Sequence, residues 1–261
     1  MDKMTPIHPT AIIHPKAELM EGVSVGPYSV IGEHVKIARG TQVASHAVIE
    51  GFTEIGEDCR IFPFDTIGTI PQDLKFSGEE SRIIIGRRNT IREYVTIHRG
   101  TAGGGGVTTL GNDNLLMAYV HVAHDCHIGN HVILANAATL AGHITVQDYA
   151  VIGGLVGIHQ FGRIGRYAII GGCSAVAQDV PPFVHASGNR VKLYGLNTVG
   201  LKRHGFSEER LAALKKAYQI LFRSKLTMKE AIKKVRDELT DSLDAQEMAT
   251  FIETSERGVC R

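Results

Sequence analysis

Tryptophan is missing from the 261 residues, and aromatic residues of all kinds supply only 6% of them. A core built around large rings is therefore excluded, and with glycine at 29 positions the composition favours thin, repeated layers. Cysteine is scarce as well. Cys59, Cys126, Cys173 and Cys260 form neither a CxxC pair nor a disulfide-like framework, which points to a reducing, cytoplasmic compartment. No apolar run approaches the roughly 20 residues of a membrane span, and the opening MDKMTPIHP lacks a basic-then-apolar leader, so no integral membrane segment is expected. Net charge is nearly absent too, at +1, which excludes a general nucleic-acid binder. The charge is unevenly placed: residues 1–189 sum to −4 and Arg190 onward to +5, so an acidic partner is expected on the C-terminal third.

What the chain has in abundance is one period. From Ile7 an aliphatic residue recurs every six positions, at Ile13, Leu19, Val25, Ile31, Ile37, Val43, Ile49, Ile55, Ile61 and Ile67. Six is a multiple of the strand period of two and does not fit a 3.6-residue helix, so each hexad predicts one short strand and one corner of a parallel β-helix. Two stretches interrupt it. Pro71–Arg82 (PQDLKFSGEESR) is polar and turn-rich, yet the phase resumes at Ile85, Ile91 and Ile97. Arg99–Thr109 (RGTAGGGGVTT) shifts the phase by one residue before Leu110 restarts it, unbroken, through Val176. Both predict loops thrown out from an intact coil.

The paired prolines Pro181 and Pro182 predict the end of the coil, followed by a linker over about Val184–Leu201. A helical period then takes over. Ser207 reads as an N-cap before Glu208 and Glu209, Thr227 and Glu230 as a capping box, and a third helix starts near Asp241 or Ser242. The expected domains are a β-helix over 1–189 and a linker with a helical domain over 190–261.

The most informative stretch is Leu116–His143, LLMAYVHVAHDCHIGNHVILANAATLAGH, where histidines sit off the apolar positions. If three hexads close one triangular coil, residues 18 apart stack. His124 then lies beneath Gly142 and Asp125 beneath His143, while Gln160 stacks on Gly142 with His159 beside it, and His121 arrives at the same edge. Side chains of these types on one corner suit proton transfer. Two alternatives are a purely structural edge ladder and a zinc site drawn from His121, His124, Cys126 and His127. Cys126 takes the inward, small position of its hexad, which turns it away from the histidines. Cys59 and Cys173 likewise read as small core residues or inert thiols. The run Gly103–Gly106 lacks the Lys-Ser/Thr of a phosphate loop and reads as a flexible loop flanking a pocket. Gln72, Asp73 and Lys75 lie on the first insertion, the kind of loop on which binding residues gather.

The segments HVAHDCHIGNHVILANAATLAGH, IGGLVGIHQFGRIG, GGCSAVAQDVPPF and YGLNTVGLKRHGFS together resemble the UDP-N-acetylglucosamine O-acyltransferase family, over essentially the whole chain. The hexads alone would reach only the broad hexapeptide-transferase superfamily. The resemblance implies a mainly β fold, a left-handed parallel β-helix of hexapeptide repeats with a C-terminal α-helical domain, assembled as a homotrimer with active sites between subunits. It implies transfer of a 3-hydroxyacyl chain from acyl carrier protein to the glucosamine 3-hydroxyl of UDP-N-acetylglucosamine, the first step of lipid A biosynthesis. No metal or other cofactor is implied, the phosphopantetheine thioester of the acidic carrier protein being a co-substrate.

By the same matching, His124 falls in the family's catalytic position, with Asp125 orienting it and the N–H of Gly142 facing the thioester oxygen. Asp73 and Lys75 would hold the sugar with Gln72 nearby, and His121, His143, His159 and Gln160 would line the pocket. Asn197 and Arg203 would reach the uridine and phosphates, within or across the subunit boundary. Gly172 falls where members limit acyl length, and its small size implies a relatively long chain. Val199, where many members carry an acidic residue, and His204, where a second arginine is common, depart from the pattern and put the nucleotide contacts in question. A 3-amino sugar acceptor, the later N-acyltransferase of the same pathway and a zinc carbonic anhydrase-like site are the rival readings.

Overall fold

The computed structural model describes residues 7–261; Met1–Pro6, on which the expectation of no leader rests, lie outside them. Each hexad forms one short strand, most of two residues, and one corner turn. The strands stack into three sheets of nine, eight and ten. The first face opens with Ile12–Ile13, the second with Glu18–Leu19 and the third with Ser24–Val25. The chain visits them in that order and returns 18 residues later in register, so that Leu116 pairs with Leu134, His121 with Thr139 and His127 with Thr145, all parallel. The insertions lengthen the step without breaking it: Ile67 pairs with Ile97, and Ile97 with Val122.

The aliphatic position of each hexad points inward because side chains alternate across a strand. Ile31, Ile49, Leu116, Leu134 and Leu140 are among the largest fully buried side chains, with Val120, Cys126, Val132 and Ala138 buried between them. Each such aliphatic contributes about 1.5–3 kcal/mol on burial. Between faces the backbone turns through a left-handed residue, and this residue is seldom glycine. Tyr94 and Tyr119 hold φ of 62° and 65° at the third-to-first corner, Asp125 and His143 57° and 60° at the first-to-second, and Tyr149 and Tyr167 61° and 55° at the second-to-third. That conformation is costly for an L-residue. It persists because the corner amides are satisfied one coil away, as where His143 N–H donates to the His124 carbonyl at 3.0 Å.

The structure departs from the sequence reading in three places. The coil does not end at Pro181-Pro182, since Val184–Ser187 pairs in parallel with the strand Ile169–Ile170. Both prolines fall in a corner, where no ladder donor is needed. The expected linker is also structured: Lys192–Leu196 runs antiparallel to Val184–Ser187, and helix α1 (Thr198–Arg203) follows. Cys173 is an exposed corner residue with φ 56°, not part of the core.

Helices α2 (Glu208–Arg223), α3 (Met228–Glu238) and α4 (Leu243–Glu253) start at Ser207, Thr227 and Ser242, each of which caps the backbone N–H three residues on. They are fastened to the coil by buried Asp244, which accepts from Arg166 of the coil at 2.9 Å and from Arg210 of α2 at 2.8 Å. The final residues bracket Asp179, whose N–H donates to Gly258 and whose carbonyl accepts from Cys260. Among the described residues no helix is long and apolar enough to cross a membrane.

Candidate active site

Both insertions leave from the end of the first face, so their loops overhang the first-to-second corner at the level of His124 and Asp125. Here the 18-residue register has a chemical consequence. His124 is buried, and its Nδ1 lies 2.8 Å from Oδ2 of Asp125, whose carboxylate is only 1% exposed. A carboxylate can only accept, so Nδ1 carries a proton and Nε2 is the ring nitrogen not engaged by Asp125. One coil above, a methyl group on Gly142 would fall 2.5 Å from His124 Cε1 and 2.7 Å from Nε2. The imidazole therefore lies directly against the Gly142 backbone, at a distance only glycine permits.

His143 stands above Asp125, its Nε2 3.8 Å from Oδ2 and its ring edge-on to His124 at 5.0 Å. Burial holds its basicity below the ordinary histidine range, with the Asp73 carboxylate of the first insertion among the groups pulling the other way. Phe161 stacks on its far side at 4.5 Å. One coil below, His121 is bonded through Nδ1 to Thr96 Oγ1 at 2.7 Å, and burial lowers its basicity as well. His98, nine-tenths buried, meets the His121 ring edge-on at 5.0 Å. Burial together with His121 and His124 lowers its pKa to about 4, so it is neutral.

The corner thus brings together His124, Asp125, Gly142 and His143, with His121 on the strand that leads into it. On the first insertion Gln72 is exposed, and Asp73 Oδ1 accepts the Lys75 N–H at 3.0 Å. His159 is exposed, with half-buried Gln160 beside it; its Nδ1 lies 3.2 Å from the Arg257 guanidinium and 3.1 Å from the Gln160 carbonyl. Asn197 and Arg203 are elsewhere. Asn197 caps α1 by accepting from Gly200 N–H and donates to the Tyr167 carbonyl, which places it at the second-to-third corner, and Arg203 is exposed one turn on. Within one chain these two do not join the histidines. His204, the unusual residue, packs edge-on against Tyr149 and Tyr167. Val199 is exposed. Gly172 lies exposed on the third-to-first corner, where a Cβ would meet the Gly154 carbonyl at 3.2 Å.

The zinc set His121, His124, Cys126 and His127 does not assemble. Cys126 points into the core, its thiol pushed up to about 12 by burial, and exposed His127 pairs with Thr109 Oγ1. The trio that does converge is His124, Asp125 and His143, with ligand-type atoms within 4.8 Å of one another. The glycine run also differs from its sequence reading. Ala102–Gly104 is a 3-10 turn packed on the dyad: Thr101 donates its N–H to Asp125 Oδ1 at 2.9 Å and its hydroxyl to Oδ2 at 2.6 Å. Asp125 N–H donates to Thr108 Oγ1 at 2.9 Å, and Ala102 N–H to Glu79 Oε1 of the first insertion at 3.1 Å.

Residues 179–260 match the family described as UDP-N-acetylglucosamine O-acyltransferase, domain 2, and residues 108–142 the bacterial transferase hexapeptide family. An acyl-[acyl-carrier-protein]–UDP-N-acetylglucosamine O-acyltransferase of Thermodesulfovibrio yellowstonii is 61% identical across 99% of this chain and 100% of its own length. The chain belongs to the UDP-N-acetylglucosamine O-acyltransferase family. Solved UDP-N-acetylglucosamine acyltransferases of Francisella novicida and Arabidopsis align with it at TM-scores of 0.96 and 0.87 and identities of 40% and 35%. Each alignment covers 98% of this chain, and 94% and 100% of those chains respectively.

For an acyltransferase of this family the sequence left four neighbours of the site unremarked: Glu79, His98, Thr101 and Thr108. None lies 18 residues from His124, because the insertions displace them from the regular register. The available signal was the one-residue phase shift across Arg99–Thr109, which reports a loop of fixed length returning to the coil.

Proposed function

We propose that the protein transfers a 3-hydroxyacyl chain from acyl carrier protein to the 3-hydroxyl of UDP-N-acetylglucosamine, the first step of lipid A biosynthesis. The observation that carries the mechanism is the buried His124–Asp125 pair beneath the Gly142 backbone. A sugar hydroxyl is a poor nucleophile, so Nε2 of His124 takes its proton as the oxygen attacks the thioester carbon. Asp125 keeps the proton on Nδ1 and balances the imidazolium that forms. The Gly142 N–H stabilises the oxyanion of the tetrahedral intermediate. As the carbon–sulfur bond breaks, His124 returns the proton to the departing phosphopantetheine thiolate. No covalent enzyme intermediate, metal or other cofactor enters these steps.

Asp73 and Lys75, with Gln72, hold the sugar, and His121, His143, His159 and Gln160 line its pocket. Asn197 and Arg203 sit on another corner of their own coil, which supports a homotrimer whose sites lie between subunits, one copy supplying the histidine corner and the next the nucleotide contacts. The +5 charge from Arg190 onward suits an acidic carrier protein. Gly172 leaves room for a relatively long acyl chain. The setting is a soluble, cytoplasmic enzyme.

The test is to incubate the protein with UDP-N-acetylglucosamine and a mixture of 3-hydroxyacyl carrier proteins, with His124→Ala alongside, and to follow products by mass spectrometry. A 3-O-acylated sugar, with its rate reduced at least about 100-fold in the variant, is expected. Product only from a 3-amino sugar would change the acceptor. Undiminished turnover in His124→Ala would overturn the general-base role.

A further inference from the structure

We infer that the second insertion is a clamp on the dyad and that Thr101 is a positioning residue, which holds the Asp125 carboxylate as an oriented anion through its N–H and hydroxyl together. The inference rests on the general-base reading of His124. Asp125 is buried and, among the described residues, has no lysine or arginine partner, so its charge is carried by Thr101 N–H at 2.9 Å, Thr101 O–H at 2.6 Å and His124 Nδ1–H at 2.8 Å. Thr101 is itself 5% exposed. The other side of the carboxylate is closed by Gly104, on which a methyl group would fall 2.0 Å from Asp125 Cγ. Within the run Gly103–Gly106 it is Gly104 that is fitted against this side chain, and Gly100, just before the turn, where a methyl group would fall 2.8 Å from Asp125 Oδ1, closes on it as well. Thr108 holds the Asp125 backbone, and Glu79 ties the turn to the insertion that carries Asp73 and Lys75.

Oδ2 accepts from both the Thr101 hydroxyl and His124, so the two donors share one oxygen. Removing the hydroxyl concentrates the negative charge on the imidazole, which then keeps its proton to higher pH. The other charged or titratable groups near His124 are His143 above it, His121 on its own coil, His98 below, and Asp73 and His127, which act on His143. None of them contacts Thr101 Oγ1, so changing that hydroxyl leaves them in place.

The experiment compares the pH profile of kcat/KM for the full-length protein, Thr101→Val, Thr101→Ser and Gly104→Ala, with His124→Ala as reference. Thr101→Val keeps the shape and the N–H but loses the hydroxyl. Its acid limb should move up by about half a pH unit or more, and its plateau kcat fall about tenfold, with KM for the sugar nucleotide within twofold. Thr101→Ser should restore both. Gly104→Ala, which displaces the carboxylate from the other side, should lower kcat at least as far and serves if Thr101→Val does not fold. A limb that stays in place in Thr101→Val beside an inactive His124→Ala would overturn the clamp alone, leaving Thr101 a merely structural residue. Activity surviving in His124→Ala would overturn the base reading and this inference with it.

Discussion

At the third-to-first corner the left-handed position holds Tyr28, His46, Phe64, Tyr94 and Tyr119, ring on ring at 4.9–5.2 Å. At the first-to-second corner the same position holds Asp125, His143 and Phe161. The coil presents one side chain per turn in vertical register at either corner, so a column of stacked rings is its natural filling. On the first-to-second corner the column starts from a carboxylate instead of a ring, and the second insertion wraps that carboxylate, tied through Ala102 N–H to Glu79 of the first. The fold supplies the alignment; residue choice and two loops convert one of its corners into a site.

Gly142 gives the sharpest way to break the comparison. Its counterparts on the aromatic corner are Ala118 and Asn136, and its neighbours in its own column are His124 and Gln160, so the corner backbone accepts a Cβ. Only the His124 ring requires glycine there. Gly142→Ala should drive that ring off Asp125 and lower kcat about 100-fold, with the melting temperature nearly unchanged. An active Gly142→Ala would show that His124 does not work in the pose described. A large loss of stability would return the glycine to a backbone role.

The hexad period made the three faces, the stacking of His124 under Gly142 and the inward turn of Cys126 legible in advance, because each follows from residue spacing alone. The clamp was not legible. Its geometry depends on how an irregular loop folds back, and spacing carries no information about that. The strand beyond Pro181-Pro182 was hidden for a related reason: whether a proline ends a coil depends on its falling in a strand or in a corner, which the sequence left open at that point.

Beside each corner lies a buried titratable group, His98 at the end of the first-face strand Thr96–His98 and Asp65 in the aromatic corner, and the two respond to pH in opposite senses. Folded His98 has a pKa lowered to about 4, below the ordinary 6.5. As pH falls from 6.5 toward 4 the unfolded chain binds a proton that the folded chain does not, so stability falls. Asp65, in the aromatic corner and accepting from Phe62 and Val95 N–H, is pushed up by burial to about 9, so its contribution is lost as pH rises. The test is a difference, in which Asp65 cancels. Between pH 7 and pH 5 the wild type should lose about 2 kcal/mol relative to His98→Gln, read from urea midpoints. Parallel curves would mean that His98 binds its proton equally well in the folded and unfolded chains, so that burial does not lower its basicity.

The smallest expected effect separates the corners most cleanly. Tyr94 stacks on Phe64 at 4.9 Å and on Tyr119 at 5.0 Å, but is 45% exposed. Tyr94→Ala should therefore cost only about 1 kcal/mol of stability, near the low end for two aromatic pairs, and leave kcat unchanged. Phe161 contributes one stacked face, yet that face belongs to His143. Phe161→Ala should cost less stability while raising KM for the sugar nucleotide several-fold, because the His143 ring loses the surface that fixes its plane. Thermal melts and steady-state kinetics on both variants decide the matter. If Tyr94→Ala also changed KM or kcat, the aromatic column would have to be treated as part of the site.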